Sequence, residues 1–296
     1  MKKTTTIGYL FAITSAIIYG CMPLMAKHIY ADGVNPLTLV FLRNAIALIP
    51  LALLSCMQDK TLAVPVKQLP KIGLISLLGC CVTPILLFRS YQFIESGTAT
   101  VFHFINPAIV VIAEILFARK KPQGGNLISV LICVLGISLF YAPQQTPNLT
   151  GSILALSSGL TFAGYVVLLA RFDTSGVSGF RFSFYVAAAS SIFTLVIGLA
   201  TNQLVFPATV FGWGLCILFS LLVTTGAVVL FQQSTFYIGS ERTSILSTLE
   251  PITSIVIGIL VFGEPLGIRT LIGSLLVILA SLLIAIFDFK NATKKA

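Results

Sequence analysis

The sequence predicts an all-α integral membrane protein of ten transmembrane helices, arranged as two inverted repeats of five. Three observations carry this expectation: a composition unable to form a water-facing surface, ten apolar runs of spanning length, and an internal duplication. Of 296 residues, 57% are hydrophobic and only 9% are charged, and the mean hydropathy is +1.02. Ordinary globular domains carry about 25% charged residues, so this chain lacks the polar cover of a soluble fold. Disorder is excluded by the same numbers, because it requires low hydrophobicity and high charge.

Crossing ~30 Å of hydrocarbon takes about 20 helical residues. The runs that qualify are 7–27, 36–56, 69–93, 97–117, 124–142, 150–170, 180–200, 210–236, 241–262 and 267–287. Alternating apolar and polar strands are absent, which rules out a β-barrel and leaves helices to satisfy the backbone. The first run follows Lys2 and Lys3 and so invites a signal-peptide reading. It is too long for such a segment and lacks a small-residue cleavage motif, so it is taken as the first helix.

The formal charge of +9 comes from 18 basic and 9 acidic residues. With the N-terminus inside, the cytoplasmic side receives Lys2, Lys3, Lys60, Lys67, Lys71, Arg119, Lys120, Lys121, Arg171, Arg181, Arg242, Lys290, Lys294 and Lys295. The outside receives Lys27, Arg89 and Arg269, while Arg43 lies within the second run. This asymmetry predicts cytoplasmic N- and C-termini in a plasma membrane, and it accounts for the basic balance without nucleic acid. Cys21, Cys56, Cys80, Cys81, Cys133 and Cys216 lie in or beside apolar runs with no CxxC pair. They are read as small packing hydrophobes, and no metal or cofactor is expected.

The duplication sets the architecture. Gly8–Ser15 resembles Gly151–Ser158, and Asn106-Pro107 lies opposite Glu250-Pro251, at offsets of 143 and 144 residues. The halves are therefore 1–144 and 145–296. Five spans per half is an odd number, so the second half enters the membrane upside down. Inverted halves of this kind characterise secondary transporters, with the substrate site near the midplane between them.

The stretch Glu241–Leu266, ERTSILSTLEPITSIVIGILVFGEPL, resembles the ninth helix of the EamA family of the drug/metabolite transporter superfamily, matching at Pro251, Gly258 and Gly263-Glu264. The first-half counterpart, SGTATVFHFINPAIVVIAEILFARKKP, carries Arg119-Lys120-Lys121 in place of Gly-Glu. Arg43 also matches a position where the family often has arginine. The resemblance implies the ten-helix fold and transport of a small metabolite, without specifying which.

Ionisable groups inside hydrocarbon cost at least ~2.5–3.5 kcal/mol on the insertion scale, so each one needs a reason. His103, Asn106, Pro107, Val110 and Glu114 share one helical face of the fourth run, and Thr243, Ser247, Glu250 and Ser254 share one of the ninth. Helix–helix glue explains the serines and threonines on their own. Glu250 is expected to line a cavity, the alternative being a structural partner for Arg43. His103 is open to either a cavity or a packing role, Arg43 is read as structural, and Glu264 as a gate or loop anchor. The expected substrate-binding set is Glu250, Tyr19, His103, Asn106, Ser15, Phe102, Tyr165, Ser247, Gln92 and Gln232, with no catalytic or metal-binding residue.

The function expected is secondary transport of a small organic metabolite (an amino acid, amine or similar) by alternating access, in a bilayer, with a proton as candidate coupling ion and a monomer as the unit. A membrane-embedded enzyme or a channel is the alternative. HExxH, GxSxG, a P-loop and a filter-like loop are all missing from the sequence.

Overall fold

The computed structural model describes residues 2–59, 61–117, 124–139, 148–171, 177–238, 243, 246–264 and 267–295. No strand occurs among them. The first span consists of α1 (Lys2–Gly20) and α2 (Met22–Ala31), hinged at Cys21. Pro23 suits the first turn of α2, where its missing N–H leaves no gap. It also denies a donor to the carbonyl four residues back, that of Tyr19. α3 (Pro36–Asp59) starts where the Asn35 side chain accepts the Thr38 N–H at 2.8 Å.

The third span comprises α4 (Leu69–Ser76), a π-helical turn at Leu77–Val82 and α5 (Thr83–Ser90). The fourth breaks at Phe104-Ile105 into α6 (Ser96–His103) and α7 (Asn106–Phe117). α8 (Gly124–Ser138) follows, and then α9 (Leu149–Ala170), whose N-cap Asn148 accepts the Gly151 N–H at 3.2 Å. α10 (Gly179–Thr201) is capped by Ser178 and stops at Asn202, which is left-handed at φ 52°.

The eighth span repeats the design of the third: α11 (Val210–Phe219), a π-helical turn at Ser220–Ala227, then α12 (Val228–Ile238). α13 (Leu249–Phe262) ends on Gly263 at φ 63°, a conformation that glycine adopts without a Cβ penalty, and α14 (Ile268–Lys295) closes the chain. Among the described residues, seven helices are long and apolar enough to cross a membrane. Three shorter apolar helices, Leu127–Ser138, Leu249–Phe262 and Ile268–Ile284, fall within the fifth, ninth and tenth expected spans. Several of the expected spans are divided: the first at Cys21, the fourth at Phe104-Ile105, the ninth at Thr248. The stretch Arg119-Lys120-Lys121 lies outside the described residues.

Helices from the two halves interlock. α1 packs on the π-turn at Ser220–Ala227, on α12 and on α13, while α9 packs on the π-turn at Leu77–Val82, on α5, α6 and α7. α3 pairs with α10, and α8 with α14. Close approach rests on small residues. A Cβ on Gly136 would sit 2.9 Å from the Gly273 carbonyl, and one on Gly159 would sit 2.7 Å from that of His103. The main core gathers around Phe88, Phe102 and Phe219, whereas Leu53, Leu131, Leu199 and Leu260 stand well exposed on the outside. Such an apolar exterior suits lipid, not water. The protein is all-helical and multi-pass.

Candidate substrate site

Four prolines interrupt backbone hydrogen bonding within the apolar spans. Pro23, Pro84, Pro107 and Pro251 each withhold a donor from the residue four positions earlier: Tyr19, Cys80, His103 and Ser247. Two of these carbonyls have visible substitutes. The Cys80 carbonyl accepts from Ser190 Oγ at 2.8 Å and Asn44 Nδ2 at 3.4 Å, and the His103 carbonyl accepts from Asn106 Nδ2 at 3.0 Å. Asn106 is thus engaged in closing the break between α6 and α7.

Around these breaks gather side chains from both halves. The Tyr19 hydroxyl lies within electrostatic reach of Tyr165, Arg43, Glu250 and Cys80. The Tyr165 ring lies 5.4 Å from that of Phe162, which lies 5.1 Å from the His103 imidazole. His103 Nδ1 and Ser158 Oγ are 2.9 Å apart. The π-turn admits this arrangement, because a Cβ on Gly79 would overlap the Tyr165 ring. On the other side, a Cβ on Gly20 would sit 2.8 Å from the Glu250 carbonyl, so α1 and α13 meet backbone to backbone.

Glu250 is the second residue of α13 and is half-buried, like Tyr19 and Tyr165. Among the described residues no hydrogen bond or ion pair engages its carboxylate. Arg43 is 6% exposed, and its Nε has no acceptor. Its guanidinium lies 5.7 Å from the centre of the Phe88 ring. Arg43 and Glu250 do not pair with one another.

The other expected site residues distribute differently. Ser15 donates to the Ala227 carbonyl at 2.8 Å, tying α1 to the second π-turn. Phe102 is fully buried in the core. Gln92 is exposed in the turn after α5. Ser247 is half-buried just before α13. The Gln232 and Glu114 side chains lie outside the described residues. Phe162 and Cys80 join the cluster without having been singled out in the sequence. Phe162 was detectable in principle, lying one turn from Ser158 and close to one turn from Tyr165 on the same face.

At one end of the molecule, polar ties join the helices. Glu264 accepts from Lys27 Nζ at 2.7 Å, from Ser96 N at 3.0 Å and Oγ at 2.7 Å, and from Gly97 N at 3.3 Å. It therefore caps α6 from the far side of the chain. Burial alone would raise its pKa, but the hydrogen bonds from Lys27 and Ser96 and the Lys27 charge outweigh this and hold it below the usual carboxylate range. Nearby Asp32 accepts from Thr209 Oγ1 at 2.8 Å and Thr209 N at 3.1 Å, and those bonds also lower its pKa. Glu264 is thus an anchor for two helices, in the place the sequence suggested for it.

The chain resembles other transporters along most of its length. It is 24% identical to the uncharacterized inner membrane transporter YicL of Salmonella typhimurium, with 98% of each chain covered. It is 26% identical to an uncharacterized transporter of Archaeoglobus fulgidus, over 92% of this chain and 94% of the relative. A further uncharacterized transporter, from Haemophilus influenzae, is 26% identical, but the match spans only 56% of each chain. One crystal structure superposes on 98% of this chain and 99% of its own, with a TM-score of 0.64 at 14% identity, so the fold is shared. The profile of the EamA-like transporter family matches twice, at residues 6–142 and 149–286, and the chain belongs to that family.

Proposed function

We propose that the protein is a secondary transporter that moves a small organic metabolite, such as an amino acid or amine, by alternating access of two inverted five-helix halves. The observation that carries this is the convergence of Tyr19, Tyr165 and Glu250, from spans of both halves, on helix breaks made by prolines. Two further features support it. The family profile matches each half separately, and the π-helical turns begin at Leu77 and Ser220, an offset close to that of the sequence repeat. Broken helices at membrane depth are tolerated where they line a cavity, and transporters place binding sites there.

In this reading the aromatic rings of Tyr19, Phe162 and Tyr165 enclose the cargo, and the unpartnered Glu250 carboxylate attracts a cationic group or binds a coupling proton. The distribution of basic residues supports cytoplasmic termini in a plasma membrane, with a monomer as the working unit. Glu250→Gln preserves size and hydrogen bonding while removing the charge. Proteoliposomes carrying this variant are expected to show at least tenfold lower flux of amines or amino acids than wild type, at equal insertion. Normal flux at every pH would remove Glu250 from the site.

A further inference from the structure

Arg43 is the one group near this cluster that the reading above leaves without a task. It is almost wholly buried in the third helix, its Nε lacks an acceptor, and among the described residues no carboxylate pairs with it. A buried cation without a counter-ion is expensive, and structures retain such groups where a ligand or partner completes them. The surroundings of Arg43 are also unusual. On one side lies the π-turn Leu77–Val82, whose Cys80 and Cys81 are its electrostatic neighbours along with Tyr19. On the other lies the π-turn Ser220–Ala227, whose Ser220 Oγ donates to the Arg43 carbonyl at 2.6 Å. π-helical turns inside α-helices occur frequently at functional sites, and here residues of two of them neighbour one charged residue.

Tyr19 links this charge to the rest of the site, since both Arg43 and Glu250 lie within its electrostatic reach. The two charges themselves stand apart. The neighbours that act on Arg43 are Cys80, Tyr19 and Cys81, and no charged neighbour acts on Glu250. Among the described residues, the site therefore presents a cation and a carboxylate that do not pair with one another, both within reach of one tyrosine hydroxyl.

We infer that Arg43 is the anion-binding pole of the substrate site, and that the cargo is a zwitterion whose acidic group meets Arg43 while its ammonium meets Glu250. The inference rests on the Tyr19–Glu250 cluster being the substrate site. A guanidinium suits this task because its planar fork donates two parallel hydrogen bonds to a carboxylate. Because the two poles do not reach one another directly, a cargo that bridges them carries its charges spaced along a chain, as in ω-amino acids.

The test uses the purified full-length protein and a probe series: glycine, 3-aminopropanoate, 4-aminobutanoate, 5-aminopentanoate and 6-aminohexanoate, each beside the n-alkylamine and n-alkanoate of equal length. Affinities are read from the rise in melting temperature with ligand concentration. At least one of the longer zwitterions is expected to bind tenfold or more tightly than either of its single-charge analogues. Arg43→Gln is expected to reduce that zwitterion to the affinity of its amine, leaving the amine itself unchanged. Glu250→Gln is expected to reduce it to the affinity of the alkanoate. Arg43→Lys keeps the charge without the fork and should retain part of the preference, which maintains the test if Arg43→Gln fails to fold. The assignment of Arg43 is overturned if no zwitterion outbinds its analogues, or if the preference survives Arg43→Gln. If amine binding survives Glu250→Gln as well, the substrate-site reading falls with it.

Discussion

Buried polar side chains in this protein divide by whether their own helix or a neighbour has already satisfied them. Ser15, Asn106 and Ser76 each donate to a backbone carbonyl, so their hydrogen-bonding capacity goes into closing the structure. Glu250 and the Arg43 Nε have no such partner among the described residues. The sequence singles out Glu250, Tyr19, His103 and Tyr165 because an ionisable or amphipathic group on an apolar run demands a reason. It does not single out Phe162 and Cys80, since a phenylalanine or cysteine is ordinary material for any apolar helix. Ser15 and Gln92 looked equivalent to the others, and only three-dimensional contacts separate them. Gly79 offers a test at this scale. Its missing Cβ gives room to the root of the Tyr165 ring, which cannot swing aside as a flexible chain end would. Gly79→Ala is expected to destabilise the protein by about 1–3 kcal/mol through overpacking, read from thermal unfolding in detergent. Gly79→Ala combined with Tyr165→Leu should recover most of that loss; equal losses in the single and double variants would deny the contact.

Among elements, an all-helical, multi-pass chain was legible because hydrocarbon thickness leaves few options. The breaks within its helices were only half visible. Pro107 and Pro251 announced two, whereas the π-turns carry no strong signal. They arise when a register shift inside the helix is supported by outside donors, as Ser190 and Asn44 support the Cys80 carbonyl beside Pro84. The end of α13 makes the opposite case, because Gly263-Glu264 marked it in the sequence while its partners on α6 and α2 could not be read there. Gly258 has to be glycine for the Glu264 carboxylate to lie against it. The Glu264 tie should respond to acid in a definite sense. A carboxylate whose folded pKa lies below its ordinary value is fully engaged above about pH 4, and the tie is lost as pH falls through the depressed folded value. Glu264→Gln is expected to weaken it already at neutral pH. Hydrogen bonds to charged groups contribute about 1.5–3 kcal/mol, so the Ser96 and Gly97 amides should exchange with solvent about tenfold faster or more in the variant. Unaltered exchange at those two amides would show that Glu264 does not secure α6.

For the molecule as a whole, the informative feature is which helices travel together. α1 lies with α12 and α13, and α9 with α5, α6 and α7, so each group mixes the two halves of the sequence. Under the alternating access proposed above, these groups part at one end while closing at the other, a rearrangement of packed units and not of single side chains. They meet where α6 crosses α13, and there Thr100 Oγ1 and Ser254 Oγ stand 3.0 Å apart, both buried. That proximity suits a disulfide, which needs Cβ atoms within about 3.5–4.5 Å of each other. With the six native cysteines replaced, Thr100→Cys/Ser254→Cys should therefore cross-link on oxidation without distorting the fold. The oxidised protein is expected to retain substrate binding from the opposite end while flux in proteoliposomes drops at least tenfold, and reduction should restore it. Binding has to be measured beside flux, because loss of both would signal a damaged site instead of a locked one. Flux that continues unchanged with the cross-link complete would mean that α6 and α13 never separate during transport, and the moving boundary would then have to lie elsewhere, with the α3–α10 and α8–α14 pairs as the remaining seams.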